Sequence, residues 1–272
     1  MSSKPFPARL HALMARDKNI GIVIRRGPAG HVATFRWDVS KDRFQLGQWL
    51  KGRIYERRCD ISPDGKHFLY FAMNGKWSTE SEGAWTSISK VPYLKALDFF
   101  PKGDCWEGGG LFLENRTYFL NDRYYREKPH ERRGSGLECQ TNVRAVNAYG
   151  AECLSVYFPR LIRDGWALVE QDNNITAFEK TNRFGLRLRK IAHAGGNKKG
   201  QSIYWDEHEL INASGDVQQF PSWEWADMQY KSLVFSEKGC LYRVKFSGDS
   251  IMKPKLLHDF SPYEFEAIQA PY

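Results

Sequence analysis

The stretch Cys59-Asp60-Ile61-Ser62-Pro63-Asp64-Gly65-Lys66-His67-Phe68-Leu69-Tyr70-Phe71 leaves its backbone few choices. Pro63 presets φ at the second turn position, the Asp64 side chain can accept from nearby backbone N–H groups, and Gly65 takes a positive φ without strain. The residues that follow are aromatic or aliphatic strand formers. A tight polar turn therefore feeds a strand, and related blocks recur downstream. One spans Gly108 to Leu120 and turns at Glu114-Asn115-Arg116, and a second covers 159–169 and turns at Asp164-Gly165. A third runs from Ser232 to Val244 through Lys238-Gly239. The turns fall near positions 65, 115, 165 and 239, so two intervals of about 50 residues precede one of 74. Repeats of that size predict four-stranded blades, with the last repeat enlarged.

The start of the chain has the same rhythm. Ile20-Gly21-Ile22-Val23-Ile24-Arg25-Arg26 reads as a strand, Gly27-Pro28-Ala29-Gly30 as a turn, and Val32 to Trp37 and Arg43 to Leu46 as further strands. Such spacing leaves no room for crossover helices, so the sheets are expected to be antiparallel. Residues 8–16, with Leu10, Leu13 and Met14 at helical spacing, predict one short helix. Residues 121–142, rich in charge, Gly and Pro, read as a long exposed loop, with strand-like sequence resuming at Val143. The expected fold is a single all-β domain over 1–272, a small β-propeller of about five antiparallel blades, with an irregular β-sandwich as the fallback.

Composition agrees with sheets that have one wet face. Aromatics make up 14% of the chain, yet the mean hydropathy is −0.58. The net charge of +8 is uneven. Residues 1–60 hold 13 Lys/Arg against 5 Asp/Glu, while the remaining 212 hold equal numbers of each. Such an excess can favour an acidic partner. Five cysteines at wide spacings include no Cys-x-x-Cys, which excludes a zinc ribbon or thioredoxin-like motif. No apolar run reaches signal-peptide or membrane-spanning length, so a reducing cytoplasm and no membrane partner are expected.

Catalytic signatures fail on single residues. Gly195-Gly196-Asn197-Lys198-Lys199-Gly200-Gln201-Ser202 has Gln201 where a phosphate-binding loop needs lysine. His208-Glu209-Leu210-Ile211-Asn212 has Asn212 where a zinc-protease helix needs its second histidine. The other histidines are dispersed and no Gly-x-Ser-x-Gly elbow occurs. No metal, cofactor or catalytic residue is assigned. Asp38, Glu56, Asp60, Glu107 and Asp164 lie near expected strand ends, where propeller glycosidases place paired carboxylates.

Two groups of residues are candidate binding sites. Arg25, Arg26, Trp49, Arg53, Arg57 and Arg58 form a basic-aromatic constellation in the charge-biased segment, suited to phosphates and stacked bases. Arg183, Arg187, Arg189, Lys190, Lys198 and Lys199 form a second basic run. Alternation in Gly185-Leu186-Arg187-Leu188-Arg189-Lys190-Ile191 also fits an ordinary strand with a solvated basic face. Trp223 and Trp225, two apart on a strand, share one face and make either a hot-spot patch or core.

The Ser62-Pro63-Asp64-Gly65-Lys66 turn with Leu69 resembles the blade repeat of TolB-like and Trp-Asp-repeat propellers. In those families this turn joins inner strands, and the close match covers about 15 residues. The chain as a whole resembles a group of uncharacterised bacterial proteins, through Gly52 to Gly65, Gly108 to Leu113 and Trp225-Ala226-Asp227. That likeness implies no activity. The Gly-His and Trp-Asp pair of Trp-Asp repeats is absent, so their peptide-binding residues do not carry over. The expected function is a non-enzymatic protein-interaction module acting through a propeller face or the 121–142 loop. Nucleic-acid binding through the N-terminal basic segment is the alternative, and a glycosidase-type enzyme the third reading.

Overall fold

The structure, a computed structural model, describes residues 7–27, 30–140, 153–172, 174–195, 203–229 and 231–272. The chain is all-β, and its described residues form five sheets with mostly antiparallel pairing. By packing, the described residues form two compact units, one of residues 12–160 and 263–272, the other of 7–11 and 161–262.

The first sheet is β1 (Arg9–Met14), β2 (Ile20–Arg26), β3 (His31–Asp38) and β4 (Arg43–Lys51), paired in that order. The expected helix over 8–16 is therefore strand β1. Leu10 to Leu13 are buried consecutively, which a strand covered on both faces permits and a surface helix does not. Of the turn at 27–30, Pro28 and Ala29 lie outside the described residues.

The second sheet starts with β5 (Arg53–Ile54), β6 (Asp60–Ile61), β7 (His67–Met73), β8 (Ala84–Lys90) and β9 (Asp98–Pro101). The Ser62 turn forms as its residues dictate. Ser62 Oγ accepts from the N–H of Lys66 and His67 at 3.1 and 2.9 Å and donates to Asp64 Oδ1 at 2.7 Å. Gly65 has φ of 72°, and its N–H closes the turn on Ser62 O at 2.8 Å. Strand β7 is buried on both faces. Phe68, Tyr70 and Ala72 join one apolar cluster with Ile22, Ile24 and Ile54, while Leu69 joins another with Phe100, Phe112 and Tyr118.

Next come β10 (Gly110–Phe112) and β11 (Thr117–Leu120), the hairpin expected around Asn115. The Asn115 side chain accepts from Asp64 N at 2.8 Å, tying this turn to the Ser62 turn. Within the 121–142 segment, β12 (Arg132–Arg133) returns to β9 and β13 (Glu138–Gln140) pairs with β11 in parallel. That parallel pair departs from the expected antiparallel pattern. The carboxylate of buried Asp98 holds the returning chain, accepting from Gly134 N at 2.9 Å, Ser135 N at 2.8 Å, Ser135 Oγ at 2.7 Å and Tyr118 OH at 3.0 Å. Residues 141–152, including the stretch expected to resume as strand at Val143, lie outside the described residues.

The hairpin expected over 159–169 is not formed. Leu154–Arg163 is a helix, α1, and the chain turns at Asp164-Gly165 into β14 (Ala167–Gln171). Gly165, at φ 87°, donates to Ile162 O at 3.1 Å, and Trp166 N donates to Leu161 O at 2.9 Å. These are the paired bonds of a glycine-capped helix end, a role Asp-Gly fills as readily as a hairpin turn.

The fourth sheet continues with β15 (Ile175–Thr181), β16 (Arg187–Ala194), β17 (Tyr204–Ile211) and β18 (Val217–Gln219), in chain order. The fifth holds β19 (Trp225–Gln229), β20 (Ser232–Glu237), β21 (Cys240–Ser247), β22 (Ser250–Ile251) and β23 (Lys255–Asp259), with the expected β20–β21 hairpin turning at Lys238-Gly239. Among the described residues no helix is long and apolar enough to cross a membrane.

Candidate interaction site

Three loops of the first unit are cross-tied, and each presents one large exposed ring. In the loop at 74–83, the N–H groups of Asn74 and Gly75 both donate to Gly83 O, at 3.0 and 3.1 Å. Gly83 is in the left-handed region at φ 78°, and a Cβ there would lie 2.2 Å from the Trp77 ring. Glycine thus lets the indole lie flat over the loop base while half its surface stays open, at 52% exposure. The loop at 102–109 carries Trp106, 68% exposed, and the loop at 121–131 carries Tyr124, 77% exposed.

Charged side chains join the three loops. Lys128 pairs with Glu82 and donates to Lys102 O at 2.9 Å. Lys102 in turn lies 3.5 Å from Asp104 and 3.2 Å from Asp122. Burial pushes the Asp122 carboxyl up from its ordinary value, and the Lys102 ammonium opposes that rise. Glu107 accepts from Arg123 N at 2.7 Å, and Arg132 pairs with Glu80 at 3.2 Å. Backbone bonds add Gly108 N to Asn121 O at 2.7 Å and Asn121 N to Gly109 O at 2.9 Å. One exposed ion pair contributes little, but a connected network limits how far any loop can move.

Arg58 supports the same rim from below. It is 1% exposed, and its guanidinium donates to Cys105 O at 2.8 Å and to Glu107 O, the carbonyls on either side of Trp106. Its charge lies 4.9 and 4.8 Å from the Tyr55 and Phe71 ring centres. Asp104 Oδ1 accepts from Trp106 N at 2.8 Å, completing the turn that aims the indole outward. Rigid aromatic rings on a braced frame are what a protein partner's pockets engage most strongly.

The residues singled out in the sequence have other placements. Arg25 is buried, bonds to Gly27 O and lies 5.2 Å over Trp49. Arg26 pairs with Glu56 at 2.9 Å. Arg57 is buried 4.6 Å over Tyr157, while Arg53 is exposed, 4.6 Å over Tyr55. The constellation is thus assembled within the first unit, but Arg25, Arg57 and Arg58 face its interior.

Trp223 and Trp225 are buried core of the second unit. Trp223 stacks on Phe220 at 3.9 Å and on Phe235 at 4.3 Å, and Trp225 meets His11 edge-on at 6.4 Å. In the second basic run, Arg187 and Arg189 pair with Glu179 of β15 at 3.4 and 2.7 Å. Lys190 points inward with Leu188 and Ala192, 1% exposed, 3.3 Å from His208 Nε2 and 4.9 Å from the Trp166 ring. The alternation of β16 is as expected, but Lys190 falls on its buried face. Positions 196–202, with Lys198 and Lys199, lie outside the described residues.

The carboxylates have local duties. Asp38 caps the 38–41 turn, Asp60 accepts from Phe112 N at 2.7 Å, and Asp164 pairs with Arg163 at 2.9 Å. Among the described residues no group of three or more His, Cys, Asp or Glu could hold a metal ion. All five cysteines are free thiols.

Sequence reasoning missed Trp77, Trp106 and Tyr124. Their signal was an aromatic residue inside a polar, charged loop, off any strand alternation, where propensity gives no reason for one.

No family model matches the chain, and no curated protein does. Among solved structures it is similar to the uncharacterised protein lmo1340 from Listeria monocytogenes, at 9% identity and a TM-score of 0.27. That similarity covers 93% of this chain and 67% of the other.

Proposed function

We propose that the chain is a non-enzymatic protein-interaction module that binds a protein partner through the rim of loops 74–83, 102–109 and 121–131. The observation that carries this reading is the exposure of Trp77, Trp106 and Tyr124 on loops joined by Lys128, Lys102 and Arg123. Exposed tryptophan and tyrosine bury large areas on docking and lose little side-chain entropy. The scaffold is a small propeller, a reading supported by five mostly antiparallel sheets, of which the first, fourth and fifth are each built from consecutive strands. A cytoplasmic setting fits the five free thiols.

Affinity capture of the tagged chain from its own cell extract, with nuclease added, tests this. The wild type is expected to retain a stoichiometric protein that Trp77→Ala/Trp106→Ala/Tyr124→Ala loses, while the variant's melting temperature stays the same. Equal capture by the variant refutes the rim. Partners that vanish with nuclease favour nucleic acid, although Arg25, Arg57 and Arg58 are turned inward from that surface.

A further inference from the structure

Residues 263–272 belong to the first unit but form no strand, and six of them from Glu264 onward are exposed. The segment begins Tyr263-Glu264-Phe265-Glu266, two aromatics with carboxylates beside them. It lies on β3 and β4, whose charged residues are Arg36, Asp38, Arg43 and Lys51, a net positive pair of strands. The Tyr263 ring meets Phe35 edge-on at 4.8 Å, and Phe265 meets His31 at 5.5 Å and Trp49 at 6.1 Å. Lys51 Nζ is 4.6 Å from the centre of the Phe265 ring. Gln48, whose Oε1 is held by Leu94 N and Lys95 N at 2.7 and 2.9 Å, donates from Nε2 to Ile268 O at 2.7 Å. A fixed amide reading a backbone carbonyl, with rings taking alternate side chains, is how extended peptides are recognised.

The fit is incomplete. Phe265 remains 43% exposed, and Trp49 Nε1 is buried with no acceptor among the described residues. A buried donor left unmet weakens any ligand that fails to satisfy it.

We propose that this face of β3 and β4 is a recognition site for an extended acidic-aromatic peptide, filled here by the chain's own 263–268. A partner protein's segment of that chemistry, bringing an acceptor to Trp49 Nε1, binds by replacing it. This site is separate from the loop rim and does not depend on it. The tethered segment competes at high effective concentration, so it lowers the apparent affinity for any free peptide.

The test uses the full chain with residues 263–268 changed to a Gly/Ser sequence of equal length, keeping Ala270 and the Tyr272 contacts with Lys90 and Lys95. A fluorescent synthetic peptide of residues 261–269 is titrated into it and into the wild type, followed by anisotropy. Binding to the replaced chain is expected to be at least ten times tighter than to the wild type. It is also expected to weaken with salt and to be lost with Trp49→Ala. Equal or absent binding overturns the proposal. So does loss of cooperative unfolding in the replaced chain, which would make the segment part of the core. Binding of a single-stranded oligonucleotide in preference to the peptide overturns it in favour of nucleic acid.

Discussion

Replacing Arg58 with methionine keeps most of the apolar stem and removes the guanidinium that supports the Trp106 loop. Two bonds to carbonyls, those of Cys105 and Glu107, are lost. Hydrogen bonds from a charged donor contribute about 1.5–3 kcal/mol each. The contacts over Tyr55 and Phe71 add roughly 0.5–1 kcal/mol apiece. Against that, methionine no longer has a cation to desolvate, which returns several kcal/mol of the gross loss. The net is a destabilisation of about 3 kcal/mol, and for a chain of this size the melting temperature falls by roughly 6–12 °C. Calorimetry reads that change. Hydrogen exchange gives the local signature, faster exchange at 105–109 with β15 and β16 unchanged. Arg58→Lys, one point charge in place of a fork, is expected to fall between the two. If Arg58→Met melts within a degree of the wild type and 105–109 exchange as before, the guanidinium does not hold this loop.

Other predictions follow from single buried groups. Asp98→Ala orphans four donors and is expected to cost about 3–5 kcal/mol. Asp98→Asn, whose amide can donate to the Tyr118 and Ser135 hydroxyls, costs far less. Equal urea midpoints for the two variants would refute this account of the 134–135 anchor. Burial holds His67 below the ordinary imidazole value of 6.5, so the unfolded chain binds more protons as pH falls through that value. Stability is therefore expected to drop on acidification below pH 6.5, and His67→Gln to flatten the slope; an unchanged slope sinks the assignment. Burial pushes the Cys59 thiol up to about 12. Iodoacetamide at mildly alkaline pH should leave Cys59 unmodified in the native chain, and peptide mass spectrometry showing it alkylated would contradict its burial.

What was legible in the sequence was local. Ser62-Pro63-Asp64-Gly65-Lys66 closes through hydrogen bonds among residues at most five apart, so its own letters specify the turn. The hairpins at Asn115 and Gly239, the continuous apolar run of β7 and the period-2 pattern of β16 are specified the same way, and together they make the chain all-β. Asp164-Gly165 was ambiguous because the same positive φ serves a hairpin and a helix end. The preceding Leu154–Arg163 settles which. Parallel β13 depends on β11, more than 15 residues away in sequence, and no local pattern encodes that pairing.

The candidate sites depended still more on tertiary structure. Arg25, Arg53, Arg57 and Arg58 look alike as letters, yet Arg53 reaches solvent while Arg58 meets carbonyls about 50 residues further on. The rim needs three loops brought together across that separation, and the Trp49 face needs a segment more than 200 residues away. Sequence alone determined the turns, the strand alternation and hence the fold class, because backbone dihedrals answer to immediate neighbours. Only the tertiary structure decided which cations and rings are buried and which are presented, because burial is set by partners far along the chain.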